Sequence, residues 1–367
     1  MILTYLLFVL GLVFLLAGAQ WLVDSSSGIA ARYEIPPVFV GVVIVAFATS
    51  APEVAVSLDA ALAGEAAVAL GNVVGSNIAN ILVILGISAL LAPIAIRRRM
   101  VLLDVPIVIA LSVLVYLLSL DGLLQLWEGA IMLVLFIGFI IFQVRQIQKE
   151  SGPEETHSEG PPKVEHPLPV QIGIFVVGLG TLILGAHWMV DSAVEIARSL
   201  GMSELVIGLT IIAIGTSLPE LATSVMAAFQ GKQDLSVGNV LGSNIFNLLF
   251  VLGLSSVVSN GFEVSEAAIA LDLPFMVAVS IACLPIFFTG HRITRWEGGV
   301  FIFYYCAYLA YLFLDVTGHE LLPRFNAVMI WFVVPITVLT LGVLATRAWY
   351  LNRLKKKADD LSKQGPG

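Results

Sequence analysis

Eleven apolar stretches follow one another along this chain, and each is about as long as a membrane-spanning helix. They lie at about 2–22, 38–63, 68–93, 101–120, 125–146, 168–190, 204–229, 235–259, 266–289, 297–316 and 324–348. A helix needs roughly 20 mostly apolar residues to cross a bilayer. Only 12% of the residues are charged and the net charge is −8, which excludes soluble enzymes and nucleic-acid-binding proteins because both need more charged or basic surface. The sequence predicts an all-α polytopic membrane protein that contacts the lipid bilayer and does not bind nucleic acid.

The positions of the basic residues predict the orientation. If the N-terminus lies outside, the cytoplasmic segments hold 16 of the 18 Lys and Arg residues, and the outer segments hold only Arg198 and Arg324. Basic residues accumulate in cytoplasmic segments of membrane proteins. We therefore expect eleven transmembrane helices, an outer N-terminus and a cytoplasmic C-terminus. The chain is expected in the cell membrane.

The sequence repeats itself after a shift of 167 residues. Residues 18–25 match 185–192, residues 46–53 match 213–220, and residues 71–80 match 238–247 at eight of ten positions. Each repeat holds five predicted helices, and because five is odd the second repeat enters the membrane upside down. Inverted repeats of this kind are typical of secondary transporters.

The repeat divides the chain into four predicted parts. They are a first five-helix repeat at 1–146, a cytoplasmic linker at 147–167, a second and inverted repeat at 168–316, and an extra helix with a basic cytoplasmic tail at 317–367.

Two glutamates, Glu53 and Glu220, occupy twin positions in the middle of predicted spans. An ionisable side chain there is costly and usually functional. Pro52 and Pro219 precede them, and a proline deprives a helical carbonyl of its partner. Freed carbonyls, hydroxyls of neighbouring Thr and Ser residues, and two carboxylates together form an all-oxygen site, which hard cations such as Ca²⁺ prefer.

The third predicted helix of each repeat adds a second polar motif. For Ser76, Asn80 and their twins Ser243 and Asn247, cation coordination is favoured over hydrogen bonding between helices. For the remaining four asparagines of the motif both roles stay open; they are Asn72, Asn77, Asn239 and Asn244. The glycines of the G-x-x-x-G pattern, Gly71 and Gly75 in the first repeat, are expected to permit close helix packing.

These motifs resemble those of the Ca²⁺/cation antiporter superfamily, specifically the sodium/calcium exchangers. The A-T-S-A-P-E and G-T-S-L-P-E elements, each followed by G-N-x-x-G-S-N-I-x-N, are similar to its two α-repeats. The resemblance implies a Ca²⁺ site made by Glu53, Glu220 and the carbonyls of Thr49 and Thr216. It implies Na⁺ sites made by two twin sets, which are Ala46, Ser50 and Ser76 in the first repeat and Ala213, Ser217 and Ser243 in the second. Asn80 and Asn247 would complete the centre.

The chain departs from the family pattern at two motif positions. Ala48 replaces the usual glycine of the first G-T-S element, and Asn247 stands where some relatives carry an acidic residue. Since the potassium-requiring branch is associated with aspartate in this region, Asn247 argues against potassium dependence.

The resemblance and the charge of the site together imply antiport, in which Na⁺ entering drives Ca²⁺ out. No cofactor, catalytic residue or oligomer is required, so the chain is expected to be a transporter and not an enzyme. The alternatives are an antiporter that exchanges H⁺ for Ca²⁺ or another divalent cation and, in a different class, a cation channel. An intramembrane aspartyl protease is disfavoured because Asp24, Asp104, Asp191 and Asp272 lie near predicted helix ends, as caps or interface anchors.

Overall fold

The computed structural model describes residues 1–150, 167–202, 207, 211, 213–288, 291–340, 342, 343 and 346, with 148–150 and 213 described by their backbone alone. Most of the predicted linker, much of the first half of the seventh predicted span and the basic tail lie outside the described residues. The described residues are almost entirely helical, and four two-residue strands lie between helices.

The helices and strands are numbered in chain order. They are α1 (Ile2–Arg32), α2 (Pro37–Thr49), α3 (Ala51–Leu62), α4 (Ala66–Leu91), β1 (Ile94–Ala95), α5 (Met100–Asp121), β2 (Leu123–Leu124), α6 (Leu126–Glu150), α7 (Leu168–Ser199), α8 (Ala213–Gly215), α9 (Leu218–Phe229), α10 (Gln233–Val258), β3 (Phe262–Glu263), α11 (Ala268–Phe288), β4 (Arg292–Ile293), α12 (Arg295–Val316) and α13 (Leu322–Thr340).

Within the described residues, nine helices are long and apolar enough to cross a membrane, and the bent pair α2–α3 makes a tenth span. The count stays below the predicted eleven at the seventh stretch, where α9 has only 12 residues and residues N-terminal to it fall outside the description. The chain is therefore an all-helical polytopic membrane protein.

Two long helices, α1 and α7, extend well beyond the predicted ends at residues 22 and 190. Polar residues continue α1 because Ser25 and Ser27 donate hydrogen bonds to the carbonyls of Trp21 and Val23, each at 2.7 Å. Of the two roles predicted for Asp24 and Asp191, helix cap or interface anchor, the first is therefore wrong. Both lie inside helices, where Asp24 pairs with Lys232 and Asp191 with His187.

The α1 and α7 helices lie against each other through glycines. A Cβ atom on Gly18 would collide with the backbone of Leu182, and one on Gly185 would collide with the backbone of Leu15. Such contacts bring two helix backbones together without side chains between them.

The polar motifs of the third helix of each repeat lie in the centre of the bundle. In both α4 and α10, 83% of the most apolar window is buried, whereas none of that window is buried in α13. The helices α4 and α10 therefore contact protein on nearly all sides, whereas α13 lies at the outside of the bundle.

The two repeats are joined at both ends of the bundle by short antiparallel ladders. Strand β1 pairs with β4 at one end, and β2 pairs with β3 at the other. The first end also carries Arg97, Arg98, Lys232, Arg292 and Arg295, and is called here the basic end; the opposite end carries Glu65, Asp121, Glu266, Asp315 and Glu320, and is called the acidic end.

Candidate ion-binding site

Both central glutamates begin the helix that follows a break. The α2 and α3 axes differ by 45° at Ser50, and α9 starts after Ser217. In both helices proline occupies the first turn, where its missing N–H is not needed. Glu53 and Glu220 therefore lie where the sequence predicts a broken helix, and their residues are 1% and 0% exposed.

Each carboxylate receives a hydroxyl from the opposite repeat. Ser50 donates to Oε1 of Glu220 at 2.8 Å, and Ser217 donates to Oε1 of Glu53 at 3.4 Å. A serine at a helix N-cap usually bonds its own helix, but neither of these serines does so. The hydroxyls bring the two halves of the centre together.

A second pair of hydrogen bonds crosses between the repeats beside the carboxylates. Thr49 Oγ1 and Asn239 Oδ1 are 3.2 Å apart, as are Thr216 Oγ1 and Asn72 Oδ1. Through their amide nitrogens, the two asparagines also bond a serine in the neighbouring helix, each at 2.9 Å; the serines are Ser57 and Ser224. Both polar atoms of Asn72 and Asn239 are thus engaged by protein groups, so these two side chains hold helices together.

The remaining asparagines of the motif form a chain between the central helices. Asn80 donates to Asn244 Oδ1 at 2.9 Å, Asn244 donates to the Asn77 carbonyl at 3.4 Å, and Asn77 donates to the Val73 carbonyl at 2.7 Å. The two repeats differ in these asparagine hydrogen bonds. Within the described residues, the amide of Asn247 makes no hydrogen bond that corresponds to the one from Asn80.

Among the buried side-chain oxygens at the centre that have no hydrogen-bond partner in the described part of the chain, which include Asn77 Oδ1, six occupy twin positions of the two repeats. They form three twin pairs, which are Oε2 of Glu53 and Glu220, Oγ of Ser76 and Ser243, and Oδ1 of Asn80 and Asn247. Leaving a buried polar atom unsatisfied costs about 1–3 kcal/mol, and more for a charged group. Six such atoms in matched pairs indicate a binding site for a cation that accepts oxygen ligands. Ca²⁺ takes about six to eight oxygens.

The other predicted ligands lie on the helix before each break. Ala46 is fully buried, and its carbonyl accepts the Ser50 N–H at 3.0 Å. Thr49 is buried and Thr216 partly buried, each one residue from a serine that bonds a carboxylate. Of Ala213 only the backbone is described, and it begins α8.

Sequence reasoning did not single out two features of this centre. Ser57 and Ser224 bond the bracing asparagines, and the repeat shift of 167 residues would have identified them as identical twins. Asn80 and Asn247 each begin a π-helical segment, at Asn80–Leu85 and Asn247–Val251. Hydropathy does not distinguish a π-helical turn, which is frequent at functional sites.

The donors of this centre are hydroxyls, amides and two carboxylates. Among the residues that the structure describes, no three His, Cys, Asp or Glu side chains come together, so the two carboxylates would hold a cation together with hydroxyl, amide and carbonyl oxygens. The arrangement can hold a cation that accepts oxygen ligands, with two negative charges to balance it.

A family model described as sodium/calcium exchanger protein matches residues 3–145 and 170–314. The chain belongs to this family. It is 40% identical over 315 residues to the putative antiporter CaxA of Alkalimonas amylolytica, a match that covers 83% of this chain and 96% of the relative. It is 32% identical over 345 residues to the sodium/calcium exchanger MaX1 of Methanosarcina acetivorans, covering 84% and 98%.

The fold is also similar to a solved exchanger. The structure of the sodium-calcium exchanger NCX_Mj soaked without Na⁺ and Ca²⁺ matches with a TM-score of 0.73 and 29% identity, covering 85% of this chain and 99% of that one. This sodium/calcium exchanger family member is thus a multi-pass integral membrane protein and a transporter, not an enzyme.

Proposed function

We propose that this protein exchanges Na⁺ for Ca²⁺ across the cell membrane by alternating access, with Glu53 and Glu220 as shared ligands of both ions. The observation that carries the proposal is the set of six buried, unpartnered oxygens in three twin pairs. Membership of the exchanger family supports the same conclusion.

The ligand assignment follows the residue positions of the two motifs. Ca²⁺ is bound by the carboxylates of Glu53 and Glu220 and by the carbonyls of Thr49 and Thr216. Na⁺ is bound in flanking sites by the twin sets Ala46, Ser50, Ser76 and Ala213, Ser217, Ser243. Asn80 and Asn247 supply the remaining central oxygens, consistent with their unpartnered Oδ1 atoms.

Exchange follows from the charge of the site. One Ca²⁺ or two Na⁺ neutralise the two carboxylates, whereas both loads together would leave excess positive charge in a low dielectric, which is strongly unfavourable. The two ions therefore exclude each other, and the site changes the side it faces only when it is loaded. Transport of more than two Na⁺ per Ca²⁺ would move net charge and respond to voltage.

The proposed topology has eleven transmembrane helices, with the N-terminus and the acidic end outside and the C-terminus in the cytoplasm. The repeats occupy 1–146 and 168–316, the linker 147–167, and the extra helix with its tail 317–367. The support for this orientation is the predominance of basic residues in the segments assigned to the cytoplasm.

The proposal predicts that purified protein in vesicles loaded with Na⁺ takes up ⁴⁵Ca²⁺ when the external Na⁺ is removed, and that uptake ceases when Na⁺ is equal on both sides. A proton gradient imposed without a Na⁺ gradient should give no uptake. Uptake that follows the pH gradient and ignores Na⁺ would instead identify an H⁺/Ca²⁺ antiporter. Single-channel currents far above carrier rates would identify a channel.

A further inference from the structure

Two aspartates at opposite ends of the bundle occupy twin positions but lie in different surroundings. Asp104 in α5 is fully buried, and Arg99 and Gln143 donate hydrogen bonds to its two oxygens at 3.1 and 3.3 Å. The Arg99 guanidinium lies 4.1 Å from the ring centroid of Phe39. At the basic end this position is therefore filled with packed and paired side chains.

At the acidic end, smaller residues occupy the positions that correspond to these packed and paired side chains. Ala268 stands where the first repeat has Met100, and Ala267 where it has Arg99. These two exchanges remove a long apolar side chain and a guanidinium from the surroundings of Asp272 in α11.

A cavity of about 90 Å³ occupies the resulting space. Its lining includes Asp272, Tyr308, Ser265, Ala268, Gly71 and Gly75. A water needs only about 10–15 Å³ of such volume, so the cavity has room for several waters or a partly hydrated ion.

The carboxylate in this cavity keeps one oxygen available. Tyr308 donates to Oδ1 of Asp272 at 2.8 Å, while within the described residues Oδ2 has no hydrogen-bond partner and no Lys or Arg pairs with the group. Asp315, exposed at the acidic end, is close enough to act on Asp272 electrostatically. The negative potential of the cavity is therefore not neutralised by the described side chains.

The inner wall of the cavity belongs to the same helix as the ion ligands. Gly71 and Gly75 of α4 precede Asn72 and Ser76 directly, and Gly71 is exposed. Its twin Gly238 is buried, and a Cβ atom there would lie 2.8 Å from the Val38 carbonyl oxygen. The side of α4 that carries Gly71 is thus open at the acidic end, beside the residues that supply ion ligands, whereas the twin position in α10 is packed shut.

We propose that this cavity is a vestibule in which Asp272 and Tyr308 hold a hydrated divalent cation before it reaches the two central glutamates. The inference rests on the proposed function. A carboxylate in a cleft with low-dielectric walls concentrates cations and speeds their association. The vestibule serves the acidic end alone, because Asp104 is sealed by Arg99 and Gln143.

Asp272→Asn should raise the half-saturating Ca²⁺ concentration of exchange about threefold to tenfold when Ca²⁺ is added on the acidic side, with the maximal rate unchanged. Uptake is measured in right-side-out and inside-out membrane vesicles, and only one of the two should respond. The shift should shrink at high ionic strength. Ala268→Met, which restores the residue of the first repeat, should raise the same concentration by narrowing the cavity.

Two control variants separate the vestibule from other roles of the residue. Asp272→Glu keeps the charge and should stay near the wild-type value. Glu320→Gln removes an exposed charge from the same end and should have little effect. The vestibule would be overturned if Asp272→Asn raised the half-saturating Ca²⁺ concentration in both vesicle types, or raised it no more than Glu320→Gln does. It would also be overturned if Asp272→Asn lowered the maximal rate and left the half-saturating concentration unchanged.

A binding measurement tests the vestibule without exchange. Tb³⁺ is a hard cation whose emission is sensitised by nearby tyrosine, and it is added to a purified variant in which both central glutamates are glutamine. Sensitised emission should persist there at high Tb³⁺ and fall severalfold when Asp272→Asn or Tyr308→Phe is added. Emission unchanged by both substitutions would overturn the vestibule. Emission that depends on Asp272, combined with a wild-type protein that exchanges no Ca²⁺ for Na⁺, would retain the vestibule and refute the proposed function.

Discussion

Replacing either Glu53 or Glu220 by glutamine is expected to reduce Na⁺-driven Ca²⁺ uptake about 100-fold or more, equivalent to about 2.7 kcal/mol. Glutamine keeps the size of the side chain and an oxygen that accepts the serine hydroxyl, so the centre should still assemble. The variant loses one of the two negative charges that face the cation in a buried site. Two charges about 4 Å apart interact by about 4 kcal/mol at an effective dielectric of 20.

Two other buried glutamates of this chain provide matched controls. Glu128 and Glu297 are twins, 4% and 2% exposed, and each accepts a hydrogen bond from the backbone N–H three residues earlier, at 2.8 Å. Glutamine fulfils this capping role as well, so Glu128→Gln and Glu297→Gln should transport normally. ⁴⁵Ca²⁺ uptake in reconstituted vesicles, normalised to folded protein, compares the four variants. Undiminished uptake in both central variants would refute the role of the carboxylates.

Gly242→Ala is expected to destabilise the protein strongly, while the same change at its twin Gly75 is expected to be tolerated. A Cβ atom on Gly242 would collide with the carbonyl oxygen and Cα of Val42, which are backbone atoms that cannot rotate away. Forced overpacking typically costs about 1–3 kcal/mol, and more where the neighbour cannot move. For Gly75, no described residue lies within 4 Å of the corresponding position.

Thermal unfolding in detergent and the yield of monodisperse protein measure this difference. Gly242→Ala should lower the unfolding temperature by several degrees or prevent purification, and Gly75→Ala should stay near wild type. Because the two glycines occupy the same position of the same motif, helix propensity changes equally in both variants and cancels. Equal losses of stability would show that both glycines are contact positions.

The contrast between these glycines marks the limit of what the sequence could predict. The G-x-x-x-G pattern predicted close packing in both repeats, and the contact is present in the second, where Gly242 lies against α2. Identical letters cannot reveal which neighbour a face meets, since that depends on how distant helices pack. For Gly71 and Gly75 the predicted close packing is wrong, because no described residue lies within 4 Å of a Cβ atom at either position.

The composition of the centre was more accessible to sequence reasoning. Two proline-glutamate pairs in twin positions predicted the broken helices and the buried carboxylates, because a carboxylate at membrane depth is too costly to be incidental. The spacing of Ser50 and Glu53 predicted that both residues lie at the same helix break. It could not predict that the Ser50 hydroxyl bonds Glu220 of the other repeat. Helix ends were predicted less well, since hydropathy falls at Asp24 whereas α1 continues through hydroxyls that bond its own backbone.

The exchange of serine hydroxyls between the halves has a consequence for how such a chain can be divided. Neither half contains the partner of its own acidic group, because Ser50 serves Glu220 and Ser217 serves Glu53. A fragment made of one half alone would therefore be incomplete. Two copies of such a fragment would restore the full set of contacts only as an antiparallel dimer, so a single-repeat ancestor would have required subunits inserted in both directions.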